Sequence, residues 1–362
     1  MIRDKKYRYT LTYQKDLEPA AAVINDDRSK PFVWVNYAAI FLHLVSAVAQ
    51  MVLYLPKDPS EFSYTESYLK WGEVKNGTVC EGVIFNTTND GEFCVQPEME
   101  RICEDDESGL HCGVDLGWLI ISFFLLSFFF QGIAALTDFV EDGVCGYKYF
   151  DMIQKGLNPL RFLEYSISAS VMLVAIAVLN GVFDINLVAS IAVLTCSCQL
   201  SGLVVEYLLQ DDRDDLGLLA HLNGWLTLGC AYGIIFHAYF KSAAEGDTDP
   251  PAFVDAIVIS LCALYCCFGA TQITELFCRC RCSFVPEDDD NDKKRIITQK
   301  KCKACCDASF GRISCGTIRC RNKDEGRCDH ACKELSYVIL SLAAKSVLGW
   351  IIFSNVLLAP RS

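Results

Sequence analysis

The sequence predicts an all-α membrane protein: a bundle of seven transmembrane helices with a small, disulfide-stapled β element in one outer loop. Three observations predict this class. The 362 residues are 52% hydrophobic with a mean hydropathy of +0.25, which is too apolar for an ordinary soluble domain. The apolar residues gather in seven blocks, each long enough to cross a hydrocarbon core as a helix. The basic residues are divided unequally between the segments that connect these blocks.

Each apolar block is continuous, and a helix satisfies the backbone of such a block in lipid. The predicted spans are Phe32–Leu55, Leu116–Leu136, Leu160–Leu179, Ile185–Gln210, Leu216–Phe240, Ala252–Leu276 and Leu335–Leu358. The chain then divides into five parts. An N-terminal segment (1–31) precedes six helices with a long first loop (32–276, with the loop at 56–115). A Cys-rich segment (277–334), a seventh helix (335–358) and a short tail (359–362) follow. The N-terminal segment lacks the apolar core of a signal peptide, so we expect it to stay uncleaved.

The distribution of Lys and Arg predicts that the N-terminus and segment 277–334 lie on the inner side of the membrane. That segment holds fourteen Lys and Arg, whereas the first loop holds four against fourteen Asp and Glu. Two glycosylation sequons, at Asn76 and Asn86, lie in the same first loop and agree with an outer location. The tail 359–362 would then also be outside. The net charge of −13 argues against a nucleic-acid partner, and the lipid bilayer is the expected surroundings.

The 21 cysteines fall into three groups. Four lie in the first loop, where an oxidising environment favours two disulfides in any of three pairings, beside a strand-like run at Thr78–Phe85; they are Cys80, Cys94, Cys103 and Cys112. Seven lie in or beside the helices and are interpreted as small packing residues; they are Cys145, Cys196, Cys198, Cys230, Cys262, Cys266 and Cys267. The remaining ten lie in segment 277–334.

The cysteines of segment 277–334 indicate a zinc site in a reducing cytosol, because thiolates and an imidazole at short spacing are the ligands zinc prefers. The candidate ligands are Cys302, Cys305, Cys306, Cys315, Cys320, Cys328, His330 and Cys332. Their spacing fits no single familiar zinc module. Palmitoylation of Cys278, Cys280 and Cys282 is compatible with zinc, and an unliganded loop is the remaining alternative.

Lys345 is the residue that points most directly to a function. It lies in the middle of the last apolar block, where a bare ammonium costs about 2.5–3.5 kcal/mol on the most lenient insertion scale. Such a lysine must be neutralised, paired or chemically converted. A lysine buried near the end of a polytopic chain is what a retinal-binding protein needs, because its amine condenses with an aldehyde to form a Schiff base.

Glu164 is the predicted counterion of that Schiff base. It lies one to two turns inside the inner end of the third span, and Lys345 lies about three turns inside the inner end of the seventh. The two side chains can span the remaining gap of roughly 8 Å. Asn158 and Pro159 begin this third helix as N-cap and first residue. The alternative is that Glu164 merely pairs with Arg161, three residues away on the same face.

Further polar and aromatic residues inside the spans are candidates for the same site. Ser341 lies one turn before Lys345, and Ser168 lies one turn after Glu164. The other polar candidates are His43, Gln50 and Gln131, while Glu206 and Asp255 are interpreted as solvated near the helix ends. A slot for a polyene is expected from aromatic side chains, namely Trp225, Tyr232, Tyr265, Phe268 and Trp350. For the serines, the histidine and the aromatics, ordinary helix packing is the alternative.

Two motifs resemble those of the heliorhodopsin family. The third span reads RFLEYSISAS from Arg161, and the seventh reads SLAAKS from Ser341. A long structured first loop and an N-terminus inside also resemble that family. The resemblance implies that Lys345 carries all-trans retinal, with Glu164 as counterion, Ser341 near the Schiff base and His43 in an inner polar cavity. The chain departs from the family where Gln131 replaces a cavity histidine and where segment 277–334 replaces a short turn.

The resulting interpretation is a light sensor with a slow photocycle that includes deprotonation of the Schiff base. We expect signalling to an inner partner rather than ion pumping, with the Cys-rich segment as relay, and a homodimer. The alternative is a light-activated proton transporter or channel that uses Glu164, Glu206 and Asp255. A ligand-activated receptor without retinal is a third reading, against which Lys345 and Glu164 argue. The sequence has no phosphate-binding glycine loop, catalytic triad or metalloprotease motif, so we expect no enzymatic activity.

Overall fold

The computed structural model describes residues 30–56, 61–73, 83–87, 91–101, 113–139, 149–154, 156–211, 213–245, 250–283 and 330–357. Within these residues, seven helices are long and apolar enough to cross a membrane, which confirms the predicted helical bundle. They are α1 (Lys30–Tyr54), α2 (Leu116–Phe139), α4 (Pro159–Leu179), α5 (Ile185–Gln210), α6 (Asp214–Glu245), α7 (Ala252–Ser283) and α8 (His330–Ile352). A short helix, α3 (Tyr149–Gln154), precedes α4, and a π-helical turn (Phe353–Leu357) continues α8.

Several helices extend beyond the apolar blocks that predict them. Helix α6 begins two residues before its block and ends five residues after it. Helix α7 continues to Ser283 and α8 begins at His330, so both ends of the predicted loop 277–334 are helical. Hydropathy reports the part of a helix that hydrocarbon surrounds, whereas backbone hydrogen bonds continue into the headgroup region and water.

The first loop forms the predicted β element. Strands β1 (Glu61–Ser63) and β5 (Gly113–Asp115) pair antiparallel, and β4 (Gly91–Arg101) pairs antiparallel with both β2 (Thr65–Glu73) and β3 (Val83–Thr87). Cys94 lies on β4 in disulfide-bonded form. No described cysteine is its partner, because Cys80, Cys103 and Cys112 lie outside the described residues. The predicted pair of disulfides therefore stays a prediction.

The sheet is attached to the turn between α4 and α5. The Thr65 amide donates to the carbonyl of Phe183 at 2.9 Å, and the Ser67 hydroxyl donates to the carboxylate of Asp184. Asp184 also caps α5 by accepting from two backbone amides of its first turn. The hydrogen bond from Ser67 is the main cause that lowers the pKa of Asp184. We call this end of the bundle the sheet end and the opposite end, where α1 begins, the entry end.

Helix α4 lies at the centre of the bundle. It packs against α2, α5 and α7, and most of its side chains are buried. Its apolar half contributes Leu173 and Ile176 to a core that also contains Phe123 and Phe124 of α2. The helix ends at Leu179 with Asn180 as C-cap, and Gly181 follows with a φ of 81°, a left-handed conformation that glycine adopts without strain. Glycine there lets the chain turn directly into α5. The polar first half of α4, with Arg161 and Glu164, is buried as well.

Candidate functional site

Lys345, Glu164 and Ser127 form a closed triangle of hydrogen bonds in the middle of the bundle. Nζ of Lys345 lies 2.6 Å from Oε1 of Glu164 and also donates to the Ser127 hydroxyl. The same hydroxyl donates to Oε1 of Glu164 at 2.6 Å. Lys345 is 2% exposed and Glu164 is 4% exposed, so the pair is shielded from solvent and lipid. The structure thus brings together the two charged groups that the sequence assigned to one site.

Helix α4 places Glu164 at this point because its start is fixed by capping. The side-chain oxygen of Asn158 accepts from the Arg161 amide at 3.1 Å, and Pro159 occupies the first helical position, as predicted. One turn later Glu164 meets Lys345 from α8 and Ser127 from α2. Three helices therefore contribute one polar group each.

A narrow cavity opens beside Lys345. Aromatic rings of Tyr165, Tyr265 and Phe268 form part of its wall, and the remaining lining comes from Ser168, Ala169, Met172, Gln199, Ser341, Ala344 and Lys345. The hydroxyls of Ser168 and Ser341 are buried without a hydrogen-bond partner. The cavity is thus narrow, largely apolar and aromatic, with a reactive amine and two free hydroxyls in its wall.

Arg161 belongs to a second ion cluster, which lies at the entry end. Its guanidinium donates to Glu206 of α5 at 2.5 Å and to Glu334 of α8. Lys333 pairs with Glu206 at 2.9 Å, and Asn158 donates to both carboxylates. The alternative that Glu164 pairs with Arg161 is therefore wrong, since Arg161 points to other partners. The prediction that Glu206 is solvated is also wrong: it is 1% exposed because α4 and α8 cover the end of α5.

The other predicted polar residues lie in different surroundings. His43 is fully buried, stacks obliquely 5.9 Å from the Phe124 ring and has no hydrogen-bond partner at either nitrogen. Gln50 is equally buried and unpartnered, and Oε1 of Gln131 is unpartnered. Asp255 accepts from the Tyr239 hydroxyl at 2.6 Å and is partly exposed at the sheet end, in agreement with a solvated role.

Three of the predicted aromatic residues, Trp225, Tyr232 and Trp350, lie outside the cavity wall. Trp350 is 38% exposed, and its indole N–H donates to the Ser46 hydroxyl at 3.4 Å. Trp225 packs so closely on Gly269 that a β-carbon there would clash with its ring. Tyr265 and Phe268 do line the cavity, and Tyr232 contacts Tyr265 edge-on at 5.7 Å between ring centroids.

Trp225 begins a directional chain of hydrogen bonds across three helices. Its indole N–H donates to Nε2 of His221 at 2.8 Å, and Nδ1 of His221 lies 3.3 Å from Oε1 of Gln272. The Gln272 amide then donates to the carbonyl of Gly202 at 2.9 Å. The chain joins α6, α7 and α5 in the half of the bundle nearer the entry end.

Sequence reasoning missed Ser127, Lys333 and Glu334. Ser127 lies four residues before Gln131 on the same helical face, and a hydroxyl in that position is the signal that could have found it. Glu334 lies one residue before the last apolar block, so a hydropathy boundary assigns it to the loop. Among the described residues there is no group of three metal-ligating side chains, and the side chains of the predicted zinc ligands lie outside the described part of the chain.

Comparison with known proteins identifies a family. None of the curated proteins matches the chain. A family model for heliorhodopsins matches residues 32–277, which is well over half of the chain and covers six of the seven spans. The match ends before α8, so it is the structure that brings Lys345 of α8 to Glu164 in the matched region. This chain belongs to the heliorhodopsins, a family of membrane-embedded, retinal-binding rhodopsins.

Proposed function

We propose that Lys345 carries the retinal of this rhodopsin, that Glu164 is its counterion, and that the protein is a light sensor that signals rather than pumps ions. The buried contact between Lys345 and Glu164 carries the proposal. An ammonium and a carboxylate at this depth each have a large desolvation cost, which close pairing offsets. A lysine that only stabilised the fold would be replaced at lower cost by an apolar residue.

The residues around Lys345 fit a long conjugated aldehyde. The cavity beside the amine is walled by Tyr165, Tyr265 and Phe268, whose flat faces suit a polyene. The two unpartnered hydroxyls, of Ser168 and Ser341, are free to bond polar atoms near the amine. Retinal bound here as a Schiff base supplies the light absorption and the isomerisation that starts the response.

Glu164 and Ser127 control where the proton on the Lys345 nitrogen is held. Glu164 stabilises the charged form of that nitrogen by its negative charge, and Ser127 orients both groups because it bonds to each. Transfer of the proton from the nitrogen to Oε1 of Glu164 would neutralise both partners and remove the attraction between α8 and α4. We propose that this loss of attraction starts the slow change of bundle shape.

The signal would leave through the entry end of α8. There Lys333 and Glu334 hold α8 to α4 and α5, and segment 277–334 directly precedes the helix. The basic residues and the two sequons support an inner location for this end, facing a cytoplasmic signalling protein. Zinc or palmitate on the Cys-rich segment, like the homodimer, stays a prediction; elemental analysis for zinc and thioester cleavage for lipid would test the first two.

A spectrum of purified protein with added retinal tests the proposal. Wild-type protein should form a visible band, and Lys345→Ala should insert in the membrane yet stay colourless. Lys241→Ala is the matched control, because Lys241 is an exposed lysine near the end of α6 and should leave the band intact. A visible band in Lys345→Ala that resists hydroxylamine would refute the assignment. Electrophysiology under illumination separates signalling from transport, since only a transporter or channel gives a sustained photocurrent.

A further inference from the structure

One face of α1 carries polar side chains along the sheet half of the bundle. His43, Ser46, Gln50 and Tyr54 recur at spacings of three and four residues, so they share one face of the helix. All four are buried, with exposures of 0%, 8%, 0% and 4% respectively. Helix α1 packs against α2 and α8, the helices that carry Ser127 and Lys345. A polar stripe is thus enclosed by the bundle where a purely structural helix would carry apolar side chains.

The stripe begins beside Lys345 and ends at the sheet end. His43 and Lys345 stand at similar depths, because each lies about 13 to 15 residues after the entry-end start of its helix, and α1 packs against α8. Ser46 accepts from the indole of Trp350, which lies five residues beyond Lys345 toward the sheet end. Tyr54 donates to Oδ1 of Asp115 at 2.5 Å, and this partly exposed carboxylate stands at the start of α2.

Gln50 is the critical member because neither of its side-chain polar atoms has a hydrogen-bond partner in the described structure. Burial of an unbonded amide costs about 1–3 kcal/mol on protein mutational data, and native structures generally avoid it. Ala47, fully buried on the same face between His43 and Gln50, offers the amide no hydrogen-bonding side chain. A small polar ligand with both donor and acceptor groups would satisfy Gln50, and water is that ligand.

The spacing of the stripe suits single waters. Successive polar positions are about one turn apart, or about 5.4 Å along the helix axis. Two hydrogen bonds of about 2.8 Å that meet at one water reach up to about 5.6 Å, so one bridging water can join polar groups about one turn apart. Gln50 lies about 10 Å beyond His43 toward the sheet end, too far to bond Lys345 directly. Ser46, between them, is placed to relay the contact.

We propose that Ser46, Gln50 and Tyr54 hold a file of water molecules that exchanges protons between the Lys345 nitrogen and the sheet side of the membrane at Asp115. The inference rests on the proposed role of Lys345. A proton taken up at the Asp115 carboxylate would move along the file by hydrogen-bond exchange and end on the nitrogen. No atom other than hydrogen changes partner, and the charge gained at one end is released at the other.

Proton uptake and release would both take place on the sheet side. Glu164 and Tyr165 of α4 and His43 of α1 are the described titratable groups that face the amine, while Tyr54 and Asp115 stand at the outer end. A proton that leaves the nitrogen is held on Glu164, and the nitrogen takes up a new proton through Gln50 from the sheet side. Glu164 then releases its proton to the sheet side through the same file, so uptake and release balance and no net proton crosses the membrane. The protein thus resets on the side opposite to the one at which it signals.

Silver labelling of introduced cysteines tests the water file without retinal. Helix α1 has no cysteine of its own, so the mass of its peptide reports an introduced thiol. In a Lys345→Ala background, Ag⁺ added at the sheet side should reach the thiol of Gln50→Cys and block its later alkylation. Val52→Cys is the matched control, because Val52 is 64% exposed on the outside of the bundle and should stay unblocked in lipid. Equal alkylation of both thiols would overturn the proposal.

Flash spectroscopy in vesicles with different inner and outer pH tests proton exchange in the retinal-bound protein. The return of the visible band should follow the pH on the sheet side. Gln50→Leu and Tyr54→Phe should lose that dependence, whereas Thr195→Val should keep it, because Thr195 bonds only to its own helix. If the visible band of the wild type returns at a rate that does not depend on the sheet-side pH, the water file is refuted, while Lys345 remains the chromophore residue. A colourless wild type would refute that role instead, and silver labelling would still decide whether water enters.

Discussion

The two buried ion clusters differ in the number of charged groups that they join. The triangle of Lys345, Glu164 and Ser127 has one charge of each sign and adjoins a cavity with unpartnered hydroxyls. The entry-end cluster has two cations and two carboxylates joined by several bonds across three helices. The first can lose its charges by moving one proton, whereas the second keeps charge of both signs after any single proton transfer, because it has two cations and two carboxylates. The difference indicates that the first cluster changes during function and the second holds the helices in register.

Arg161→Gln should have the largest effect on stability. It leaves the carboxylates of Glu206 and Glu334 buried with less compensating charge, and breaking a buried pair costs about 3–5 kcal/mol. Thermal unfolding in detergent should show a large fall in midpoint, with the absorption band nearly unchanged in the protein that remains folded. Glu245→Gln is the control, since its pair with Lys241 is exposed and spans 3.9 Å. A midpoint that falls no further in Arg161→Gln than in the control would contradict the holding role.

Glu164→Gln should act mainly on the spectrum. Removing the anion beside the Lys345 nitrogen changes the energy of its charged form, so the visible band should move strongly. The shift is to the red where the nitrogen keeps its proton and to the near ultraviolet where it loses it, and a pH titration distinguishes the two. Asp255→Asn, at the sheet end, should leave the band in place. An unmoved band and titration in Glu164→Gln would assign the counterion to another carboxylate.

Ser127→Ala and Ser341→Ala should have the smallest effects and should differ from each other. Ser127 bonds to both Lys345 and Glu164, whereas the hydroxyl of Ser341 has no partner in the described structure. Ser127→Ala should therefore shift the band and change the photocycle rate more than Ser341→Ala does. The opposite order would mean that the bound chromophore redirects the amine toward its own helix.

The sequence was sufficient for the seven helices and for the meeting of Lys345 with Glu164. Continuous apolar blocks determine the spans, and depth along each helix follows from counting residues. The contact of Lys345 with Ser127 could not be predicted in the same way. It depends on how α2 is rotated about its axis, and the packing of Phe124 against Gly349 on α8 helps to set that rotation. Counting residues gives the depth of a side chain in the membrane but not the direction in which it points around the helix axis.

Boundary residues and aromatic residues show the same limit. Glu334 falls just outside an apolar block, and Glu206 falls near the end of one, yet both are buried because neighbouring helices cover them. Trp225 and Tyr265 look equivalent as aromatic residues in adjacent spans. Only Tyr265 lines the cavity, because the indole of Trp225 is held by His221 and lies on Gly269. Such distinctions depend on three-dimensional neighbours that a single sequence does not contain.

The hydrogen-bond chain from Trp225 to Gly202 determines the protonation state of His221 and links the three helices that carry it. An indole N–H can only donate and a backbone carbonyl can only accept, so the chain has one permitted direction. His221 must accept at Nε2 and donate at Nδ1, which makes it a neutral imidazole in a single tautomer. These hydrogen bonds tie α5, α6 and α7 together at one level, so we expect the three helices to move as one block. Displacements that begin at Lys345 should then appear as relative motion between this block and the remaining helices.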